Sequence, residues 1–551
     1  MLGISYQSLA HAIKDSVISH KFAGCPFKGR VFLVGGALRE FALGSRPRDY
    51  DLALSDPDDL AIIERLFQRH SFLLGKKPIQ THRIAAGDIL LDITILENSL
   101  EKDLERRDFT MNAIAFDMKA QMVIDPLDGL HDIDRRLIRY PNRETITSDP
   151  LRMLKAIRHF ATLDGFVLDP ELKAAITSCK NLIQTTAPER IKYELDLIML
   201  SPGVARGMET LDETGLIFEV IPELGALRVM DVEKQFSLET YGHTIFGFSF
   251  LKSRGENYVS DPSSLKEVGY ALLFHDLGKA RTYSYDEKKE LVHFFNHERI
   301  SRDIAVGIMD RLRFSTQESK RICSLIEHHM RIFLISSSDA TEKAIRRLIY
   351  KMGDLTPMLI AHTLCDMYGS SGGEDNPSTF QVLQNCDVIM SAYQESKKEP
   401  LPRLVSGDDL LKMGFLQGRF LGQCLDTIMD RQITGEITTR DEALQLAGRM
   451  LEENRMPYAC SLPRPRPSTL QVSCIFTRLP CTLPTPHVTF GQSGWPFYIH
   501  KLRPACSDPD CDGTAVCCNS IFLLSGPTYC PAPSCRVLSI PGIIQRLSEV
   551  R

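Results

Sequence analysis

One stretch constrains this chain more than any other: Val31–Leu54, VFLVGGALREFALGSRPRDYDLAL. Val31–Val34 is an apolar run with β-branched ends and predicts a strand. Gly35-Gly36 punctuates it, Ala37–Leu43 has the composition of a short helix, and Tyr50–Leu54 predicts a second strand. Side chains two apart on a strand share a face, so Asp49 and Asp51 point the same way. Neighbouring carboxylates repel unless a cation lies between them, and all-oxygen ligands suit Mg²⁺. Paired glycines let backbone N–H groups approach phosphate oxygens without a Cβ in the way. A Gly-Gly pair alone is a tight turn, and an acidic strand end alone is a solvated one. Together they point to a nucleoside triphosphate held by backbone and Mg²⁺, with Asp49 and Asp51 as metal ligands.

The flanking sequence extends this frame. Residues 1–28 predict an amphipathic lead-in helix (Leu9, Ala12, Ile13, Val17) and a loop, and Asp56-Pro57-Asp58 predicts the cap of a helix over Asp59–Arg69. Ile89–Ile95, ILLDITI, predicts a strand whose apolar face Asp92 interrupts. A lone carboxylate there is costly unless satisfied, so Asp92 is either a third carboxylate of the metal site or an edge-strand side chain in water. In ERRDFTMNAIA, Arg106 and Arg107 offer guanidinium forks for phosphate. Asp108 and Asn112 lie four apart, on one face if helical, and suit sugar hydroxyls or the bracing of a site. Ala113–Val123 and Asp125–Gly129 then predict a hairpin and a turn.

GGALRE, RDYDL, RRDFTMNA, DPLDG, SDPLRMLKAIR and PERIKYEL resemble, in order and spacing, the class II tRNA nucleotidyltransferases and bacterial poly(A) polymerases of the polymerase-β-like superfamily. The resemblance covers residues 25–455. It implies an α/β polymerase-β-like nucleotidyltransferase head followed by an all-α neck and body, and template-free nucleotide addition to an RNA 3′ end with Mg²⁺ on Asp49 and Asp51. It implies triphosphate contacts from Gly35, Gly36 and Arg39, and ribose and phosphate contacts from Arg107, Asp108 and Asn112. Asp149 and Arg152 match the pair that reads the incoming base; Arg158 and Arg190 join the nucleotide-binding set. A carboxylate accepts from an exocyclic amine while a guanidinium donates to a ring nitrogen or carbonyl, so such a pair can favour C and A over U and G. Where the family usually has Glu before that Asp, this chain has Ser148, which predicts an N-cap for a helix over Pro150–Phe160.

The neck, 146–235, is helical by periodicity, with Arg152, Lys155, Arg158, Arg190 and Lys192 as basic surface. Residues 238–370 carry a second constellation: His243, His275-Asp276, His297, His328-His329 and Asp366, set in otherwise apolar helices such as ALLFHDLGK. A lone buried His is usually a satisfied core residue; a contiguous His-Asp with His before and Asp after is harder to dismiss. This resembles the all-α HD phosphohydrolase domain, which implies that His243, His275, Asp276 and Asp366 ligate one divalent metal and that His297 and His328 complete a second site. Mixed imidazole and carboxylate ligands suit a divalent transition metal, with water as nucleophile. Leu404–Gly435 resembles the C-terminal helical segment of HD-bearing relatives.

The expected organisation is a lead-in (1–28), a head (29–145), a helical RNA-binding neck (146–235), an HD domain (238–370), a C-terminal helical segment (371–455) and an extension (456–551). At 551 residues, several domains are expected. A hydrophobic content of 43% and no apolar run long enough for a bilayer predict a cytoplasmic protein with no membrane partner. The net charge of −5 means that RNA binding must rest on local basic surface. Six of the 15 cysteines precede Met456, scattered singly as in a reducing compartment. Residues 456–551 hold the other nine, 14 of the 30 prolines and the only tryptophan, without helical period or the C-x₂-C pairs of zinc sites. That composition predicts a poorly ordered or non-native extension.

The leading expectation is addition or repair of the tRNA 3′ CCA end from CTP and ATP, with phosphohydrolase activity in the HD domain. The rivals are poly(A) polymerase, a metal-dependent phosphohydrolase and an RNA-binding protein with a dead transferase head, the last opposed by intact Asp49 and Asp51. A partial CC- or A-adding enzyme is a further alternative. Full CCA-adding relatives usually carry a mobile loop between the third-carboxylate strand and RRDFT, whereas here only Thr94–Glu105 joins Ile93 to Arg106.

Overall fold

The computed structural model describes residues 3–74, 80–234, 240–337, 341–399 and 401–455. The expected extension 456–551 lies outside the described residues. The lead-in forms two helices, α1 (Tyr6–Lys14) and α2 (Val17–Phe22), where one was expected. Ser16 breaks the run by capping α2, its Oγ accepting from the Ser19 N–H. Leu9 and Ile13 are buried as anticipated, whereas Val17 is exposed and Ile18 and Phe22 take the core positions.

The head alternates β1 (Val31–Val34), α3 (Gly36–Ala42), β2 (Asp49–Leu54), α4 (Asp59–Phe67), β3 (Phe72–Leu74), β4 (Thr81–Ala86), β5 (Ile89–Ile95), α5 (Leu100–Glu105), β6 (Ala115–Asp117) and β7 (Met122–Ile124). The strands form one sheet in the order β3-β4-β5-β2-β1-β6-β7, with β2 and β5 parallel and the other neighbours antiparallel. Strand alternation divides the side chains between two cores. Val31, Leu33, Tyr50, Leu52, Leu91 and Ile93 join the main core with α1, α3 and α4. Phe32, Val34 and Ala53 face the other way, into a smaller cluster with Leu100 and Leu104 of α5. Asp49, Asp51 and Asp92 alternate with the main-core residues, so all three lie on this second face. β5 is an interior strand, which rules out the edge-strand reading of Asp92. Asp58 precedes α4 without capping it through its side chain; Asp59 instead accepts from the Lys28 and Gly29 N–H groups at 2.8 and 2.9 Å.

The head ends with α6 (Gly129–Asp134) and β8 (Leu137–Ile138), α7 (Glu144–Ser148) leads into the neck, and α8 (Arg152–Thr162), β9 (Val167–Leu168), α9 (Pro170–Cys179), α10 (Pro188–Leu200), α11 (Val204–Glu213), α12 (Leu216–Val220) and α13 (Leu224–Lys234) follow. Ser148 ends α7, its hydroxyl donating back to the Thr145 carbonyl, and does not cap α8. The next layer comprises α14 (Gly242–Leu251), α15 (Pro262–Phe274), α16 (Lys279–Thr282), α17 (His297–Arg311), α18 (Thr316–His328), α19 (Met330–Ser337), α20 (Glu342–Met352), α21 (Thr356–Ser370) and α22 (Pro377–Lys398). A β-hairpin, β10 (Tyr283–Asp286) and β11 (Leu291–Phe294), interrupts these helices. One continuous apolar core joins head, neck and this layer, while Val405, Leu410, Phe415, Cys424 and Ile428 form a separate C-terminal cluster. The six described cysteines are free thiols. Among the described residues, no helix is long and apolar enough to cross a membrane.

Candidate active site and metal centre

The first site forms where β1 turns into α3. Gly35 has φ +81°, and a Cβ there would lie 2.5 Å from Asp51 Oδ2 and 2.9 Å from Arg107 Nη1, so only glycine fits. A Cβ at Gly36 would stand 3.5 Å from Arg39 Nη2. Two guanidinium groups therefore border the glycine pair. Arg39 is tied back by donating to Asn112 Oδ1 at 2.5 Å, and Asn112 Nδ2 donates to Asp108 Oδ1 at 2.9 Å. Arg107 is held by Asp103, whose Oδ2 accepts from its Nε and Nη2 at 3.3 and 3.1 Å. Burial pushes the Asp51 carboxyl above its usual range; Arg107 opposes this, and the charges of Asp92, Asp108 and Asp49 add to it. A carboxylate in that position gains from a bound cation.

The second site lies in the helical layer. His243 Nε2 stands 3.1 Å from Asp276 Oδ2, 3.4 Å from Asp366 Oδ1 and 3.3 Å from His275 Nε2. On the other side of Asp276, Oδ1 lies 3.3 Å from His297 Nε2, which is 3.1 Å from His329 Nε2. The Nδ1 atoms of His275, His297 and His329 each face a backbone carbonyl, of Leu272, Phe294 and Ile326, at 2.7–2.8 Å. A carbonyl only accepts, so those Nδ1 atoms carry a proton, and the Nε2 atoms face one another and the carboxylates of Asp276 and Asp366. Burial disfavours a charged His275, but the carboxylates of Asp276 and Asp366 prevail and push its pKa up to about 10, so this cluster draws a positive charge that a bound cation would supply in place of the proton. Ligands about 2.1 Å from one ion stand about 3.0–3.4 Å apart, which fits the spacing here. The donor atoms of His243, His275 and Asp366 lie within 4.8 Å of one another, as do those of His275, Asp276 and His329. Burial holds the His329 imidazole well below its usual pKa, which keeps it neutral.

Comparison with known proteins follows the same division. Residues 31–139 match the poly A polymerase head domain, 165–227 the probable RNA and SrmB-binding site of polymerase A, and 240–364 the HD domain. The A-adding tRNA nucleotidyltransferase of Deinococcus radiodurans is 29% identical over 435 residues, covering 78% of this chain and 97% of that protein. The CC-adding tRNA nucleotidyltransferase of Thermus thermophilus is 30% identical over 421 residues, covering 75% of this chain and 92% of its own length. The chain belongs to the tRNA nucleotidyltransferase family. The fold of this nucleotidyltransferase is also that of the Thermotoga maritima CCA-adding enzyme solved with tRNA, at a TM-score of 0.54 and 17% identity, over 81% of this chain and 98% of that one.

Within the nucleotidyltransferase, several residues stand elsewhere than the sequence suggests. Asp92 lies beside Asp51 in register, but its carboxylate is taken by Arg83. Asp149 and Arg152 do not pair: Asp149 Oδ2 accepts from Arg190 Nη2 at 3.1 Å, and Arg152 donates to the Thr145 and Arg106 carbonyls at 3.1 and 2.8 Å. Arg158 is committed to buried Glu194 at 2.7 Å. His329, where the sequence suggests His328, brings its Nε2 into the cluster of His275, Asp276 and His297, while the His328 Nδ1 faces the Ser324 carbonyl. One residue turns a helix by about 100°; His329 lies three after buried Ile326, but His328 lies three after buried Leu325 and is buried as well, so the spacing alone does not separate the two. Two further residues went unrecognised. His362, fully buried one turn before Asp366, has its ring 5.1 Å from that of His275. Lys279, three after Asp276, is 2.7 Å from its Oδ2. The i, i+4 and i, i+3 spacings were the available signals.

Proposed function

We propose that the protein adds the CCA nucleotides to tRNA 3′ ends, or repairs them, from CTP and ATP without a nucleic-acid template. The observation that carries this reading is the packing of Gly35 against Asp51 and Arg107, which leaves backbone, carboxylate and guanidinium at one point. Asp49 and Asp51 would hold Mg²⁺, which supplies charge neutralisation of the triphosphate and of the attacking hydroxyl. Arg39 and Arg107 would pair with phosphate oxygens, for which guanidinium forks are suited. Asn112, already donating to Asp108, would set that carboxylate toward the ribose hydroxyls. Asp149 and Arg152 would read the base edge, with Arg190 fixing Asp149. The organisation proposed is a head over 29–145, a neck over 146–235, an HD domain over 238–370 and a helical segment over 371–455.

For the HD domain we infer a metal-dependent phosphohydrolase, its metal held by His243, His275, Asp276 and Asp366, with His297 and His329 at a second position. A divalent transition metal would supply Lewis acidity for phosphoester hydrolysis. The Nδ1–carbonyl contacts would fix each ring so that Nε2 faces the metal.

Partial addition is the second reading. Only Leu96–Ser99 separates β5 from α5, too little chain for a mobile lever that reshapes the pocket between C and A. The relatives named A-adding and CC-adding support it as well. The experiment uses tRNAs ending before CCA, after C and after CC, each with CTP and ATP. Extension of all three to CCA is expected. A added only to the CC-ending tRNA, or C only to the other two, assigns the partial activity. Long A tails on unrelated RNA reassign the protein to poly(A) synthesis.

A further inference from the structure

Three side chains form a row across the sheet. Arg83 of β4 stands opposite Asp92 of β5, and Asp92 stands opposite Asp51 of β2, which is itself opposite Val34 of β1. Residues directly opposite on neighbouring strands project from the same face. The row therefore runs Arg83–Asp92–Asp51 and ends at the Gly35 turn. Adjacent strands are about 4.8 Å apart, so the two carboxylates repel, and Asp92, with a side chain 25% exposed, has room to turn toward water. It does not turn. Arg83 Nε donates to Oδ1 at 2.7 Å and Nη2 to Oδ2 at 2.6 Å, a fork that engages both oxygens and fixes the plane of the carboxylate. Each oxygen keeps lone-pair capacity for a further partner.

We propose that Arg83 is a positioning residue for nucleotidyl transfer, clamping Asp92 beside Asp51 so that the acidic row meets the reacting groups in one fixed geometry. The inference rests on the transfer reading given above. Arg83 spends its fork on Asp92 and acts only through it. Its loss should therefore appear in the rate of the bound complex rather than in nucleotide affinity. A misplacement of about 1 Å can cost about 100-fold in rate, so Arg83→Gln is expected to lower kcat by about 10–100-fold. KM for CTP and ATP should stay within about twofold. Lysine keeps the charge but not the fork, so Arg83→Lys should recover only part of the loss.

The test is steady-state kinetics of the full chain on tRNA lacking its CCA end, for wild type, Arg83→Gln, Arg83→Lys, Asp92→Asn and the Arg83→Gln/Asp92→Asn pair. A residue that acts through Asp92 adds nothing once Asp92 is gone, so the double variant should match Asp92→Asn alone. Wild-type kcat in Arg83→Gln, a loss confined to KM, or multiplied losses in the double variant would each overturn the inference. If Arg83→Gln does not fold, Arg83→Lys carries the same comparison, with a several-fold drop in kcat that vanishes in the Asp92→Asn background. A wild type that extends no tRNA overturns the transfer reading and this inference with it. An active wild type with an indifferent Arg83 overturns this inference alone.

Discussion

Arg190 of α10 donates to the carboxylate of Asp149 across 3.1 Å, joining two residues of the neck that are 41 apart in sequence. Arg190 is half exposed, so the contact adds little to stability. Its consequence is directional, since it leaves one Asp149 oxygen for an exocyclic amine. A two-point contact to a base edge discriminates by about 1–3 kcal/mol. Asp149→Ala is therefore expected to reduce the preference for ATP over UTP by about 10–100-fold, measured as the ratio of kcat/KM values. Arg190→Ala should reduce it less. Unchanged selectivity in Asp149→Ala would remove Asp149 from base reading.

Asp51→Asn should abolish transfer, by about 1,000-fold or more, because oriented charge at the reacting phosphate is lost. The folded protein should not suffer. Asp51 is half-buried beside Asp92 and Asp108, and its raised pKa, caused first by desolvation, means that the ionised form opposes folding near neutral pH. Without divalent cation, the variant should melt at or above the wild-type temperature. Magnesium should raise the melting temperature of the wild type more than that of the variant. Incorporation near the wild-type rate by a folded Asp51→Asn protein would refute the assignment.

Much of the head is legible in the sequence because its signals are local. ILLDITI begins after Gly87-Asp88 and VFLV lies between Arg30 and Gly35, and β5 and β1 match them residue for residue. What escaped was tertiary. No periodicity shows that Asp92 meets Arg83, nine residues away on the next strand, or that Arg152 is drawn to the backbone carbonyl of Arg106. Ser148 has the composition of a cap, but α7 extends to it and leaves its hydroxyl inside a helix. His328 and His329 differ by one step, and only the rotation of α18 against its neighbours decides which ring turns inward.

That rotation yields a paired prediction. His329→Ala should lower bound transition metal, measured by elemental analysis, and abolish hydrolysis of 2′,3′-cyclic or monoester phosphates, while nucleotide addition persists. His328→Ala should keep both metal and hydrolysis. The reverse pattern would mean that His328, not His329, belongs to the metal centre.

The neck and the HD layer meet through four charges. Lys192 Nζ lies 2.7 Å from Asp196 and 2.9 Å from Glu318, Lys266 Nζ lies 3.1 and 3.0 Å from the same two carboxylates, and Tyr270 donates to Asp196 at 2.7 Å. These residues come from α10, α15 and α18, and Glu318 also closes the N-terminus of α18 by accepting from the Ser315 N–H at 3.0 Å. Burial favours the neutral carboxyl, but the hydrogen bonds from Lys192, Ser315 and Lys266 prevail and hold the Glu318 pKa down at about 2. A depressed carboxylate stabilises the fold above its unfolded pKa of about 4.3. That contribution fades as pH falls from there through the folded value. Because the group is partly open to solvent, its worth is on the order of 1–2 kcal/mol. Glu318→Gln should therefore melt a few degrees below wild type at pH 7, and the gap should narrow steadily below about pH 4. An equal gap at pH 7 and pH 3, by calorimetry in matched ionic strength, would show that the residue contributes through packing and not through charge.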